Sequence, residues 1–393
     1  MSEEKAKQAD LFRILQPTGC DPGDSQEIPA AAAELKGIAR LAASGSSAGD
    51  GHLVEFRTLP VRSILNHSVS RRGVWFAKSI NPYRGCEFGC KYCYARYTHE
   101  FMEMKDPADF EHKIYIKQNA QWLLRQELRS LPAGMDVAIG TATDPYQPIE
   151  RRARVTRGIL EVFAEQRGLR LGIVTKSTLI ERDIDLLQRI ATQNDLVLHI
   201  TITTNDARLA RILEPRAPRP DLRFRTVRRL REAGLRTGIL CSPLLPGMTD
   251  NARALDTMGR KAREVDASFF ASSPLFLKPC SKGTFLAFIH EHFPQLDASY
   301  AARYGTEAFV SRAYQARVRD LVAAVVAKYG LGQRSTEAIL TGDSEPGSVE
   351  EGKTAAYLSS NREGDQAELW PQPKAPRRDR VVAARTQRVM MTS

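Results

Sequence analysis

Asn81 to Arg96 reads NPYRGCEFGCKYCYAR, and the rest of the chain is organised around it. Cys86, Cys90 and Cys93 stand four and then three positions apart, so three sulfurs meet in one short loop without long-range folding. They are half of the chain's six cysteines. Gly85 and Gly89 each precede a cysteine, and glycine accepts the positive φ that turns backbone amides inward toward the negative charge of thiolates. Spacing alone fits three arrangements. The thiolates hold three irons of a four-iron cluster and leave the fourth iron without a protein ligand. They bind one zinc, with His99 as fourth ligand. Or the cysteines are small buried apolar residues.

The surrounding residues separate these arrangements. CxxxCxxC followed by an aromatic runs here from Cys86 to Tyr94. Further on come GTATDPYQPIE at 140–150, VTKS at 174–177 and LEPRAP at 213–218. Together, in this order, they resemble the radical S-adenosylmethionine (SAM) superfamily, and within it the spore photoproduct lyase-like, DNA repair photolyase-related branch. The resemblance covers residues 76 to 290. It implies a [4Fe-4S] cluster on Cys86, Cys90 and Cys93, with S-adenosyl-L-methionine chelating the open iron through its amino and carboxylate groups. Reductive cleavage then yields a 5′-deoxyadenosyl radical that abstracts hydrogen from substrate, the electron coming from a donor such as flavodoxin or ferredoxin. In such chemistry the protein holds the cofactor, orients the leaving carbon and excludes water and oxygen. Few acid–base residues are needed, and the chain shows neither a Ser/His/Asp arrangement nor a phosphate loop.

Residue by residue, the resemblance makes Thr143 a hydroxyl contact to the cofactor, with Asp144 beside it, and Lys176 the partner of its carboxylate. Thr201 is a further hydroxyl contact, with Thr203 on the same strand face. Tyr94 resembles the aromatic near adenine, and Tyr92 and Tyr94, which flank Cys93, are the catalytic candidates. One position departs. Thr141 stands where spore photoproduct lyase uses a cysteine to return hydrogen to the product radical, and a hydroxyl O–H bond is too strong for that role. Cys241 and Cys280 are the candidate replacements. The resemblance therefore implies the radical mechanism and leaves the substrate open, nucleic acid included. The alternatives are a DNA-lesion repair lyase and, from another class, a non-catalytic zinc-stabilised nucleic-acid-binding protein.

Strand polarity points the same way without the family. In His199-Ile200-Thr201-Ile202-Thr203 the two threonines share one face and the isoleucines the other. Thr141 and Thr143 repeat the arrangement. If the isoleucines meet outer helices, hydroxyls line a lumen that branched apolar residues normally fill, which suits a polar ligand. Hydroxyls bonded to nearby backbone at strand ends are the plainer alternative. Asn205 and Glu214 read equally as rim contacts or as caps and surface ion pairs, and Glu150 as a helix-start acid.

The chain has 393 residues, enough for one large domain or two, and 57 Lys and Arg against 46 Asp and Glu give +11. Such a balance favours a polyanionic partner as readily as it makes a solvated basic surface. Ten arginines face three acids between Arg208 and Arg236, a stripe able to follow a phosphate backbone but poor in stacking aromatics. MSEEKAKQAD lacks a secretory apolar region, and no apolar run reaches the roughly 20 residues that span a bilayer, so a cytoplasmic protein without membrane contact is expected. Cys20, Cys241 and Cys280 are not framed for disulfides.

In chain order, residues 1–50 read as a flexible segment with a helix over Ala30 to Ala42, and 51–79 as a strand-like lead-in. The resemblance makes residues 80–335 the radical SAM core barrel, and 336–393 read as a disordered basic tail. Helical spacing is expected over Asp109–Ser130, Arg151–Arg167, Ile184–Ala191, Pro220–Ala233, Asn251–Val265, Lys282–His292 and Thr306–Tyr329. Strands are expected at Met135–Thr143, Leu171–Thr175, Asp195–Thr204, Arg236–Ser242 and Ala267–Leu277. The alternation predicts an α/β fold with a parallel sheet. By resemblance this is a partial (β/α)6 TIM-like barrel with flexible N- and C-terminal extensions.

Overall fold

A computed structural model of the chain describes residues 35–43, 45, 47–50, 54–68, 77–132, 134–334 and 343–344. Cys20 and most of the two terminal extensions lie outside the described residues; where a helix was expected over Ala30 to Ala42, the described part is a helix at Gly37–Ala43. The strands are β1 (Ser47–Asp50), β2 (Glu55–Pro60), β3 (Leu65–Ser68), β4 (Ala77–Ile80), β5 (Tyr83–Arg84), β6 (Lys113–Gln118), β7 (Asp136–Ile139), β8 (Arg170–Thr175), β9 (Asp195–Thr201), β10 (Thr237–Leu244) and β11 (Phe270–Pro274). The main sheet runs β3-β4-β7-β8-β9-β10-β11. Its last six strands are parallel and follow one another in chain order, while β3 pairs antiparallel at the edge. This is the expected partial (β/α)6 barrel.

Alternation along each strand makes the two faces. On β9, Leu196, Leu198 and Ile200 join the outer core, together with Leu186 and Leu187 of helix Ile184–Ala191 and Val227 and Leu230 of helix Pro220–Glu232. Val197 turns inward and packs with Leu240, Phe269, Val174 and Ala271, forming an apolar floor. Gly238 is required there, because a Cβ would stand 2.3 Å from the Phe269 ring. Above this floor the inward positions become polar.

A second sheet, β1-β2-β6-β5, corrects one expectation. Instead of a continuous helix over Asp109–Ser130, a turn at Asp109–His112 leads into β6, and Asn119, at φ +54°, starts helix Ala120–Leu128. Lys113-Ile114-Tyr115-Ile116-Lys117 alternates as a strand does. Ile114 and Ile116 meet Val54, Phe56, Tyr83 and Ile149, and Tyr115 meets Ala42, Leu59 and Met102. A six-residue parallel register with β2 satisfies the backbone. The lead-in thus divides, with β2 in this sheet and β3 and β4 in the barrel. The helix expected over Arg151–Arg167 is broken at Arg154, φ +52°, into Glu150–Ala153 and Val155–Phe163. Helices Ala207–Leu213 and Asp297–Tyr304 were not expected. Among the described residues no helix is long and apolar enough to cross a membrane.

Candidate functional site

The cysteine loop is tied down from three directions. Cys86 N donates to the Phe110 carbonyl at 2.9 Å, Lys91 N to Leu213 at 3.0 Å, and Arg216 N to Phe88 at 3.3 Å. Gly85 has φ +83°, and a Cβ there would stand 2.8 Å from the carbonyl oxygens of Lys113 and Phe110. Arg96 closes the loop from below, donating to the Cys90 carbonyl at 3.2 Å and to Glu111 at 2.9 Å. Alternate residues point to opposite sides. Cys86, Phe88, Cys90 and Tyr92 line a cavity. On the other side the Ile149 amide donates to Glu87 Oε1 at 2.7 Å, and Gly89 closes on Glu111 and Arg216.

The cavity has a volume of about 310 Å³ and lies at the C-terminal ends of the parallel strands, where ligands of barrel and open α/β sheets sit. All three cysteines line it, with Tyr92, Tyr94, Thr141, Thr143, Asp144, Lys176 and Thr201. Thr203 does not. Its hydroxyl lies behind Tyr92, donating to Glu214 Oε1 at 2.8 Å and 3.0 Å from the Tyr92 hydroxyl. Thr143 donates to the Gly85 carbonyl at 2.6 Å and accepts from Gln147, so its hydroxyl braces the loop. Asp144 accepts from the Thr175 hydroxyl at 2.6 Å, from Lys176 N at 2.7 Å and from Tyr146 N at 2.9 Å, which joins the end of β7 to that of β8. Tyr94 donates to the Thr141 carbonyl, and its ring centroid is 5.3 Å from that of Phe276.

The charges are few and fixed. Lys176 Nζ stands 5.7 Å from the Tyr92 ring centroid and, among the described residues, has no carboxylate within ion-pair distance. Burial pulls its pKa down, but Cys90 and Glu214 outweigh that and hold the ammonium charged. Burial is also the first cause raising the three thiols, Cys90 to about 12. Thiolates at these positions therefore require a cationic centre beside them. His99 is not placed to complete a zinc site. Its Nε2 is 3.0 Å from the Lys113 carbonyl, and its ring is boxed by Phe110 and Tyr115. Among the described residues no three His, Cys, Asp or Glu gather as a single metal ion would need.

Two acids read as peripheral in the sequence are central. Glu214, 2% exposed, accepts from the hydroxyls of Tyr92 and Thr203 and pairs with Arg223 at 2.5 Å. Arg223 also donates to the Thr201 carbonyl at 3.1 Å. Glu150 is fully buried, accepting from Tyr83, the amides of Thr156 and Arg157, and Arg182. The only sequence signal was the position of each inside a family-like motif. Cys241 and Cys280 do not line the cavity. Cys241 is buried with Sγ 3.7 Å from the Thr203 carbonyl, and Cys280 Sγ lies 3.5 Å from the carbonyl of Tyr94.

Comparison with known proteins gives the family and the fold. The profile of the Radical SAM superfamily matches residues 80–257. An uncharacterised Mycobacterium tuberculosis protein is 32% identical over 279 residues, 71% of this chain and 82% of its own. A spore photoproduct lyase variant with bound AdoMet and dinucleoside spore photoproduct superposes with a TM-score of 0.52 at 17% identity, covering 70% of this chain and 79% of that one. A second lyase variant, with the dinucleoside spore photoproduct, gives 0.52 at 16% identity over 75% and 85%. At such identities the likeness is one of fold.

Proposed function

The chain belongs to the radical SAM superfamily, and on that premise we propose that Cys86, Cys90 and Cys93 hold a [4Fe-4S] cluster beside an S-adenosylmethionine site at Lys176. One observation carries this reading. Two buried thiols, a half-buried third and a half-buried ammonium with no acid in ion-pair range among the described residues converge on a single cavity at the strand ends. The donor set fits, because the thiols need a cationic centre to ionise and the glycine cradle admits no side chain. When bound, the cluster and S-adenosylmethionine supply one-electron cleavage of the sulfonium bond and removal of hydrogen from a substrate.

The chain's own residues bind, orient and keep the site dry. Lys176 would take the carboxylate of the cofactor, to which a charge-assisted hydrogen bond is strong. Asp144 fixes the Lys176 backbone, and Thr143 fixes the cysteine loop at Gly85. Thr201 adds a hydroxyl at the wall, while Phe88, Phe110, Leu240 and Phe276 form apolar sides that exclude water. Tyr94, anchored at the Thr141 carbonyl, offers a ring for stacking. Thr141 is bonded to Asn81 at 3.2 Å, and among the described residues no thiol beyond the three cysteines lines the cavity. This weighs against a lyase that returns hydrogen from a wall cysteine and favours a reaction that does not.

The test is anaerobic reconstitution with iron and sulfide, then reduction with S-adenosylmethionine present. Release of 5′-deoxyadenosine is expected from the wild type and not from Cys90→Ala. An iron-sulfur chromophore that forms without any such release would refute the enzyme reading.

A further inference from the structure

Ten arginines lie between Arg208 and Arg236, and their partners sort them into two groups. Arg219, Arg223, Arg229, Arg231 and Arg236 pair with Asp221, Glu214, Glu181, Asp266 and Asp195. Of the five with no acid in ion-pair range among the described residues, Arg216 lies beside Gly89 of the cysteine loop, and Arg208 and Arg211 belong to the helix whose last carbonyl holds that loop. Helix Ala207–Leu213 ends on the carbonyl that holds Lys91 N, which puts Arg208 and Arg211 on the element touching the loop, three residues apart and so on one helix face. Arg216 donates to the Glu111 carbonyl at 3.5 Å, beside Gly89. From another element Arg152, exposed, is close enough to act on Glu87, as Arg216 does.

The acids of this face are engaged within the fold. Glu111 pairs with Arg96, Glu87 accepts the Ile149 amide, and Asp206 caps its helix through Arg208 N and Leu209 N. The face is also the outer side of the loop. Cys86, Phe88, Cys90 and Tyr92 line the cavity, whereas Glu87, Gly89 and Lys91 do not. A macromolecular substrate has to reach the cavity. A partner on the outer side reaches only the back of the thiolates, one loop thickness away, and an electron carrier needs nothing more.

We propose that Lys91, Arg152, Arg208, Arg211 and Arg216 form the docking surface for an acidic, low-potential one-electron carrier protein. The assignment rests on the cluster reading above. One electron leaves the carrier and enters the protein's iron-sulfur centre, and no bond or proton changes at the surface. Charge complementarity steers the encounter and is screened by salt.

The test uses the full-length reconstituted protein and an acidic flavodoxin. Binding of the oxidised flavodoxin is measured by calorimetry across ionic strengths, and bleaching of the cluster by the photoreduced flavodoxin by stopped flow, with dithionite as the small-molecule control. Binding is expected to weaken steeply with salt. Arg208→Glu combined with Arg211→Glu, and separately Arg152→Glu, should each slow bleaching by flavodoxin roughly tenfold or more and leave bleaching by dithionite unchanged. Unaltered flavodoxin binding and bleaching in both variants would overturn the proposal. So would reversals that abolish binding of a single-stranded DNA oligonucleotide while flavodoxin reduction stays intact, which would make the face a nucleic-acid surface. If dithionite bleaches nothing in the wild type, the cluster reading itself fails. If only the flavodoxin arm fails, the docking surface alone does.

Discussion

His99 is held as a neutral ring. The Lys113 carbonyl 3.0 Å from Nε2 can only accept, so that nitrogen carries the proton. Burial pulls the pKa down to about 4. Between that value and the unperturbed value of about 6.5, the unfolded chain binds a proton that the folded chain does not, so stability rises with pH across this window and levels off above it. Acidification to pH 4 should cost on the order of 3 kcal/mol from this residue. Melting temperatures measured from pH 4 to 7 should climb, and His99→Gln, whose amide can still donate to Lys113, should flatten the climb. An unchanged slope in the variant would remove His99 as its source. The three cysteines, Thr143 and Lys176 stood out in the sequence as candidates because each sits in a local motif. The setting of His99 and of Glu214 was not legible, since Tyr92 and Glu214 meet across 122 positions.

At the scale of elements, the barrel strands were legible because a buried parallel strand carries its signal in a few consecutive residues. Their ends were read long where inward hydroxyls continue past the last ladder bond, as at Thr203. β6 was missed because Ile116, Ala120, Leu123 and Leu124 also satisfy helical spacing, and the partner that decides the matter, β2, begins 58 residues earlier at Glu55. The floor depends on a similar distant fit, between Gly238 and Phe269. Gly238→Ala should destabilise the protein by about 1–3 kcal/mol in urea denaturation, as overpacking does. Adding Phe269→Leu, which removes the ring that the new Cβ would strike, should recover part of that loss. A neutral single variant, or two losses that simply add, would contradict the packing described.

Over the whole molecule, the chain's +11 says little until each charge is placed. Much of the arginine stripe that suggested a phosphate track is taken up by ion pairs, and these differ greatly in burial. Arg219 and Asp221 are 71% and 53% exposed in their side chains, whereas Arg223 and Glu214 are each 1% exposed. Burial works against both charges of the inner pair, yet their mutual attraction holds Glu214 below the usual carboxylate range and Arg223 above its own. Removing one member strands the other in a dry interior, at a cost of about 3–5 kcal/mol, while an exposed pair contributes about 0–1 kcal/mol. The inner pair also ties the 213–218 segment to Tyr92, and so to the loop that carries the cysteines. In urea denaturation of the metal-free protein, Arg223→Met should therefore lower stability several-fold more than Arg219→Met. In the reconstituted protein, Arg223→Met should also lose iron faster to a chelator at a temperature where both variants stay folded. Equal costs for the two substitutions would mean that the buried pair does not hold the loop.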